Sequence, residues 1–262
     1  MKVTLLINHY ERFKQLKRTL KSITNNPDLS VIILDHNSPS FTDEIVELEI
    51  LYPDYLFLHK PKPTDNWYSS IASYNWGIDY VLNHENTDVI MIQDAECYHI
   101  GDVISAASII TDNEYISFAA FSTDEPTFLR DDFELVIKDI ALNSKEGVWG
   151  NGVNAWYNHP IYRGVGYGFC CAITASNMRK LNGFDERYMD GVAYGDDDWI
   201  RRIKLLGLKI EIPLDPFVVH QWHYDKNYSI DGSLLEKNRD VYNNIAATET
   251  TYKAKHLITK DF

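Results

Sequence analysis

Residues 3–8 read Val3-Thr4-Leu5-Leu6-Ile7-Asn8, an apolar run of strand length, and the period changes directly after it. Phe13, Leu16, Leu20 and Ile23 recur every three or four residues, the spacing of a helix with one buried face. A second apolar run, Ser30–Leu34, ends in Asp35-His36-Asn37-Ser38-Pro39-Ser40, whose composition is that of a turn. The alternation continues with a helix over Asp43 to Leu51 and a strand over Tyr55–Leu58. A further helix lies on Ile71, Tyr74 or Asn75, Ile78 and Val81-Leu82, then a fourth strand over Asp88–Gln93. Strands and helices alternating at this interval demand right-handed crossovers. The expected fold is therefore α/β, a mostly parallel central sheet covered by helices on both faces. This is the architecture of nucleotide-binding domains, in which ligands gather at the carboxyl ends of the strands.

The second half has a different texture. Tyr115–Phe121 and Phe169–Thr174 suit strands, Asp198–Leu206 a helix, and Phe217–Val219 a last short strand. Between Ser144 and Gly168, glycines alternate with Trp149, Trp156, Tyr157, Tyr162 and Tyr167. Two readings stay open: a loop whose rings lie over a sugar or base, or a surface loop with its rings tucked into the core. No repeat or linker divides the 262 residues. One domain is expected, with a first half over 1–97, a second half over 98–225, and an extension over 226–262.

Charge narrows the partners. There are 38 acidic against 25 basic residues, a net charge of −13. Nucleic acid is disfavoured, because phosphate backbones need clustered Lys and Arg. Docking on an anionic membrane by charge alone is disfavoured too. No apolar run reaches the roughly 18–20 residues of a membrane span, and the N-terminal run is short for a secretion signal. The cysteines are three, Cys97 and the adjacent Cys170 and Cys171, a poor basis for disulfides. A cytoplasmic location is expected, with peripheral membrane association left open.

Three polar clusters lie next to predicted elements. Asp94 and Glu96 leave the fourth strand one residue apart, where paired carboxylates suit one Mg2+ or Mn2+. Gly195-Asp196-Asp197-Asp198-Trp199 opens a helix. Its carboxylates suit the positive end of the helix dipole, with one Asp capping and another facing the cleft as a general base. His220-Gln221-Trp222-His223 places imidazoles three apart after an apolar strand, within reach of one metal if the segment coils. No phosphate loop of P-loop type, Gly-x-Ser-x-Gly elbow, His-Glu-x-x-His or Cys-x-x-Cys occurs.

Taken in order, these segments resemble the GT-A glycosyltransferases, family 2 in particular, over roughly residues 3 to 225. Val3–Arg12 is similar to the family's opening strand, with Tyr10 and Arg12 matching and Glu11 in place of Asn. Asp35-His36-Asn37-Ser38 is similar to its Asp-Asp-Gly-Ser turn, Asn75-Trp76-Gly77 to its Asn-x-Gly, and Asp94-Ala95-Glu96 to its Asp-x-Asp. Gly183-Phe184-Asp185-Glu186-Arg187, then Gly195-Asp196-Asp197-Asp198-Trp199 and Arg202, resemble a motif pair shared with the β-galactosyltransferase branch, although Gly195 replaces a Glu. Asp225-Lys226-Asn227 is similar to the stretch just after the family's late metal ligand.

The resemblance implies an inverting, metal-dependent transfer from a nucleotide-diphosphate sugar, a UDP-sugar, to a hydroxyl of a glycan or lipid-linked acceptor, as in polysaccharide biosynthesis. It implies Asp196 as catalytic base. Nucleotide-sugar contacts fall on Asn8, Tyr10, Arg12, Asp35, Asn75 and Asp94, with Asp35 and Tyr10 at the base. Mn2+ or Mg2+ falls to Asp94, Glu96 and His220 or His223, and acceptor contacts to Trp149, Asp197 and Asp198. Two other classes compete. A nucleotidyltransferase shares the sheet and paired carboxylates but carries a basic Gly-rich first loop, where this chain has Asn8-His9-Tyr10-Glu11. A non-catalytic sugar-binding module explains the aromatic loop but has no need of three aspartates opening a helix.

Overall fold

The structure is a computed structural model that describes residues 1–35, 38, 41–59, 70–224 and 232–257. His36, Asn37 and Asp225-Lys226-Asn227 lie outside the described residues. The first half runs β1 (Val3–His9), α1 (Phe13–Ser22), β2 (Leu29–Asp35), α2 (Phe41–Leu51), β3 (Leu56–His59), α3 (Ile71–His84), β4 (Val89–Asp94) and β5 (Cys97–Ile100). Next come α4 (Val103–Ala107), β6 (Glu114–Ser117), β7 (Ala120–Ser122), α5 (Glu125–Phe128), α6 (Phe133–Asn143), β8 (Ala155–Asn158) and β9 (Cys170–Thr174). The chain continues with α7 (Ala175–Leu181), α8 (Gly195–Leu205), β10 (Lys209–Glu211), β11 (Phe217–His220) and α9 (Gly232–Thr248).

Seven strands form the central sheet in the order β10-β6-β9-β4-β1-β2-β3. β1 to β4 are mutually parallel, as expected, and β9 runs antiparallel between β4 and β6. Alternation of side chains along the buried strands divides the core in two. Leu5, Ile7, Ile33 and Met91 pack with α1, α2 and α4, while Leu6, Ile32, Ile90 and Ile92 pack with α3, α7 and α8. Helices thus cover both faces.

The expected single strand over Tyr115–Phe121 is two. β6 belongs to the central sheet and β7 to a second sheet, β5-β11-β7-β8, with fully buried Phe118 and Ala119 at the crossing. A continuous apolar run does not reveal where a strand changes sheets. The aromatic segment divides likewise: Trp156 and Tyr157 are core residues on β8, whereas Trp149 is 79% exposed.

Pairing register builds the cleft. Asn8 lies opposite Leu34 on one side and Asp94 on the other, so β1, β2 and β4 end level. Beyond Asp94 the chain turns, Ala95 N–H bonds Asn8 O, and β5 pairs antiparallel with β11 so that Cys97 faces His220.

Candidate active site

The turn after β1 is strained and braced. Glu11 adopts φ +52°, and its N–H donates to Ser38 Oγ at 2.9 Å. Arg12 N–H donates to His9 Nε2 at 3.1 Å, and His9 Nδ1 meets Asp35 Oδ1 at 2.8 Å. These two bonds assign the proton to Nδ1 of His9. Ser38 donates its Oγ–H to Asp35 Oδ1 at 2.5 Å and its N–H to Oδ2 at 2.9 Å, and His59 Nδ1 approaches Oδ2 at 3.0 Å. Burial would raise the Asp35 pKa, but the bonds from His9 and Ser38 outweigh it and hold the carboxyl below its usual value. Asp35 thus has two polar neighbours within the protein at each of its oxygens. Its observed work is to hold the turn that carries Tyr10 and Arg12.

Against this turn, Glu96, His220 and His223 place a ligand atom each within 4.8 Å of one another, all three buried. Both Nε2 atoms stand 3.3 Å from Glu96 Oε1, and Arg12 Nη1 pairs with the same oxygen. Burial would raise the Glu96 pKa, yet Arg12 and the two imidazoles hold it well below the usual carboxylate value. The second histidine reaches the site because Gln221 and Gln15 stitch the segment to α1. Gln221 Nε2 donates to Thr19 Oγ1 at 3.0 Å and Glu96 O at 3.1 Å, and Gln15 Nε2 donates to Trp222 O at 2.8 Å. Asp94 stands apart from this trio and accepts Tyr74 O–H at 2.8 Å. Burial, then the Glu96 charge, push its carboxyl up to about 6.

Asp196, Asp197 and Asp198 occupy the first turn of α8 and diverge. Asp196 is exposed to the cleft, and Gly168 N–H points at its Oδ1 at 3.5 Å. Protein packed around that carboxyl, together with Asp197, pushes it up to about 6, although Gly168 and Arg163 pull the other way. Water at the open face screens part of this shift. Asp94 and Asp196 are close enough to act on each other electrostatically. Asp197 accepts Tyr167 O–H at 2.6 Å.

Asp198 is fully buried and ion-paired to Arg201 and Arg202, so it makes no acceptor contact, contrary to the sequence expectation. The expected Asp cap is also absent. Tyr194 holds that position without a side-chain cap bond, and both Ala193 and Tyr194 have positive φ. Asn238 of α9 sustains this conformation, donating to Tyr188 O at 3.0 Å and Ala193 O at 2.9 Å.

Asn75 departs from expectation as well. It is buried and spent on Phe184 N–H at 2.7 Å, Phe184 O at 2.8 Å and Glu186 Oε1 at 3.0 Å. It supports the Gly183-Phe184-Asp185-Glu186 segment and presents nothing to a nucleotide. Its neighbour Tyr74, also buried, reaches Asp94 instead. Helical spacing leaves Tyr74 and Asn75 equivalent, and only packing of α3 separates them. Trp149 stacks on Arg163, 3.9 Å from guanidinium carbon to ring centroid, with Tyr167 5.5 Å away on the same cation. Arg163 is not apparent from sequence, since no periodicity marks it.

By sequence, no family model and no curated protein matches this chain. By structure, solved proteins do. A mannosyltransferase from Pyrobaculum calidifontis, PcManGT, solved with GDP-Man and Mn2+, superposes with a TM-score of 0.57 at 15% identity, covering 93% of this chain and 64% of that one. Residues 1–349 of TarS from S. aureus match with a TM-score of 0.55 in complex with UDP, at 14% identity and 84% and 60% coverage. The same TarS fragment with UDP-GlcNAc gives 0.55, at 13% identity and 87% and 61% coverage. The fold is the GT-A glycosyltransferase fold. The chain spans less than two thirds of the length of these neighbours. Among its described residues no helix is long and apolar enough to cross a membrane.

Proposed function

We propose that the chain is a metal-dependent inverting glycosyltransferase that moves a sugar from a nucleotide-diphosphate donor, a UDP-sugar, to a hydroxyl of a glycan or lipid-linked acceptor. The observation that carries the reading is the buried Glu96, His220 and His223 trio, next to an Asp94 carboxyl that also feels the charge of the exposed Asp196. Two imidazoles with one carboxylate suit Mn2+ better than Mg2+, which favours all-oxygen shells. That PcManGT was solved with Mn2+ agrees with this choice. A cation bound there supplies the positive charge that offsets what develops on the leaving diphosphate.

The chain's own residues do the rest. Asn8, Tyr10 and Arg12 at the end of β1 border the donor, with Asp35 fixing their turn. Asp94, held by Tyr74, lies beside the metal ligands where the donor sugar would sit. Asp196 takes the proton of the acceptor hydroxyl, and its raised pKa near 6 makes it a better base than an ordinary aspartate while leaving it ionised at pH 7. Trp149 and Asp197 border the acceptor, the indole stacking a sugar ring on the face that Arg163 leaves open. The test is nucleoside-diphosphate release from a panel of nucleotide sugars, with Mn2+ and with chelator. Manganese-dependent release with one donor is expected. Binding of sugars without release from any donor would overturn the reading.

A further inference from the structure

Three cationic or imidazole groups converge on one atom. Arg12 Nη1, His220 Nε2 and His223 Nε2 all address Glu96 Oε1. We infer that Arg12 is an exchangeable counter-ion of Glu96, neutralising the carboxylate until it gives way to a divalent cation and then turning to the donor diphosphate. The inference rests on the metal reading above and adds an order to it.

Burial makes a partner for Glu96 obligatory. Its side chain is 3% exposed, and the Asp94 carboxyl adds negative charge near it. An unpartnered carboxylate in that setting is costly, so some cation belongs there whether or not metal is bound. Arg12 and a dication cannot share Glu96 Oε1 without bringing like charges together. Only one of the two has a way out: Arg12 is 32% exposed, whereas Glu96 is enclosed. The exchange needs no backbone movement, because His9 and Ser38 fix the turn at Glu11 and Arg12. The released guanidinium forms paired hydrogen bonds to phosphate oxygens, which makes the donor diphosphate its natural next partner. Metal and diphosphate then favour each other's binding by the same factor, since each makes room for or receives what the other displaces.

The experiment is calorimetric titration of Mn2+ into the full chain, native and Arg12→Gln, with and without UDP. Arg12→Gln should bind Mn2+ at least tenfold more tightly in the absence of UDP, and UDP should enhance that binding less than in the native chain. Arg12→Lys, which keeps the charge, should bind Mn2+ within about threefold of native. Native binding of Mn2+ with no change in Arg12→Gln overturns the exchange alone. No Mn2+ binding by the native chain at millimolar concentration overturns the metal reading and the exchange with it. If Arg12→Gln does not fold, the native chain decides, with zinc as a diamagnetic stand-in. The Arg12 side-chain nitrogen resonance should move to that of a free guanidinium on titration, and a resonance that stays put overturns the exchange.

Discussion

Asp198 Oδ2 accepts Arg202 Nε at 2.7 Å with both side chains 1% exposed, a buried ion pair inside the first turns of α8. Arg202 continues to Gly183 O at 2.9 Å, and Asp198 Oδ1 takes Arg201 Nη2 at 2.8 Å. The last aspartate of the run and the arginine one helical turn on thus join α8 to the Gly183-Phe184-Asp185-Glu186 segment. Their likeness to a catalytic motif is the likeness of a scaffold that aims Asp196.

Asp198→Asn should therefore be damaging through stability. Removing one partner of a buried ion pair costs about 3–5 kcal/mol, because the other charge stays buried and unpaired. Asp197→Asn, which perturbs one hydrogen bond from Tyr167, should cost about 1 kcal/mol. Urea denaturation of both variants measures the difference. Equal losses would mean that the Asp198 pair is not what anchors α8.

Asp196→Asn should fold normally and lose turnover by about 10² to 10⁴-fold, the contribution of a positioned proton acceptor. A base must be deprotonated to work, and the surroundings of Asp196 raise its pKa from 3.8 toward about 6. Turnover should accordingly fall as pH drops through about 6, and a profile flat down to about pH 4.5 would remove Asp196 from the base role. Single-turnover transfer at saturating donor reads both effects.

Asp35→Ala should weaken donor binding and stability together, since it frees the His9 and Ser38 bonds that hold the turn before α1. The Asp35 pKa lies below 3.8, so its stabilising contribution is complete at higher pH and fades as pH falls through the folded value. Donor Michaelis constant and melting temperature should move in parallel. A turnover collapse with donor affinity intact would place Asp35 in the chemistry instead.

Asn238→Ala should cost about 1–3 kcal/mol, leaving Tyr188 O and Ala193 O without their donor. It should also reduce turnover while sparing nucleoside-diphosphate affinity, because the left-handed Ala193-Tyr194 turn sets the start of α8 and hence the direction of Asp196. Asn238→Asp, which offers no amide N–H, should not restore activity. Normal turnover in a destabilised Asn238→Ala would confine Asn238 to packing.

Local pattern was enough for the half that binds nucleotides in proteins of this fold. Strand-length apolar runs separated by helical spacing dictate β1 to β4 and α1 to α3, because side-chain period is a property of neighbouring residues. The same local logic marked Glu96, His220 and His223 as metal candidates and the Asp196–Asp198 run as a candidate site, since they lie beside a strand end or a helix start, while the choice of Asp196 within the run came from the family resemblance. Direction and pairing lay beyond it. Asp94 and Glu96 are equivalent by spacing, and only the antiparallel β5–β11 register brings Glu96 to the histidines while Asp94 turns to Tyr74. Asn75 and Asp35 carry the right chemistry at plausible positions, yet partners far away in the chain, Phe184 and Glu186 for the one and His9 for the other, hold them in the frame. Asp198 pairs with Arg201 and Arg202 at helical spacing, but which aspartate of the run faces inward to them is set by how α8 packs on the rest of the chain, and that packing leaves no periodic trace.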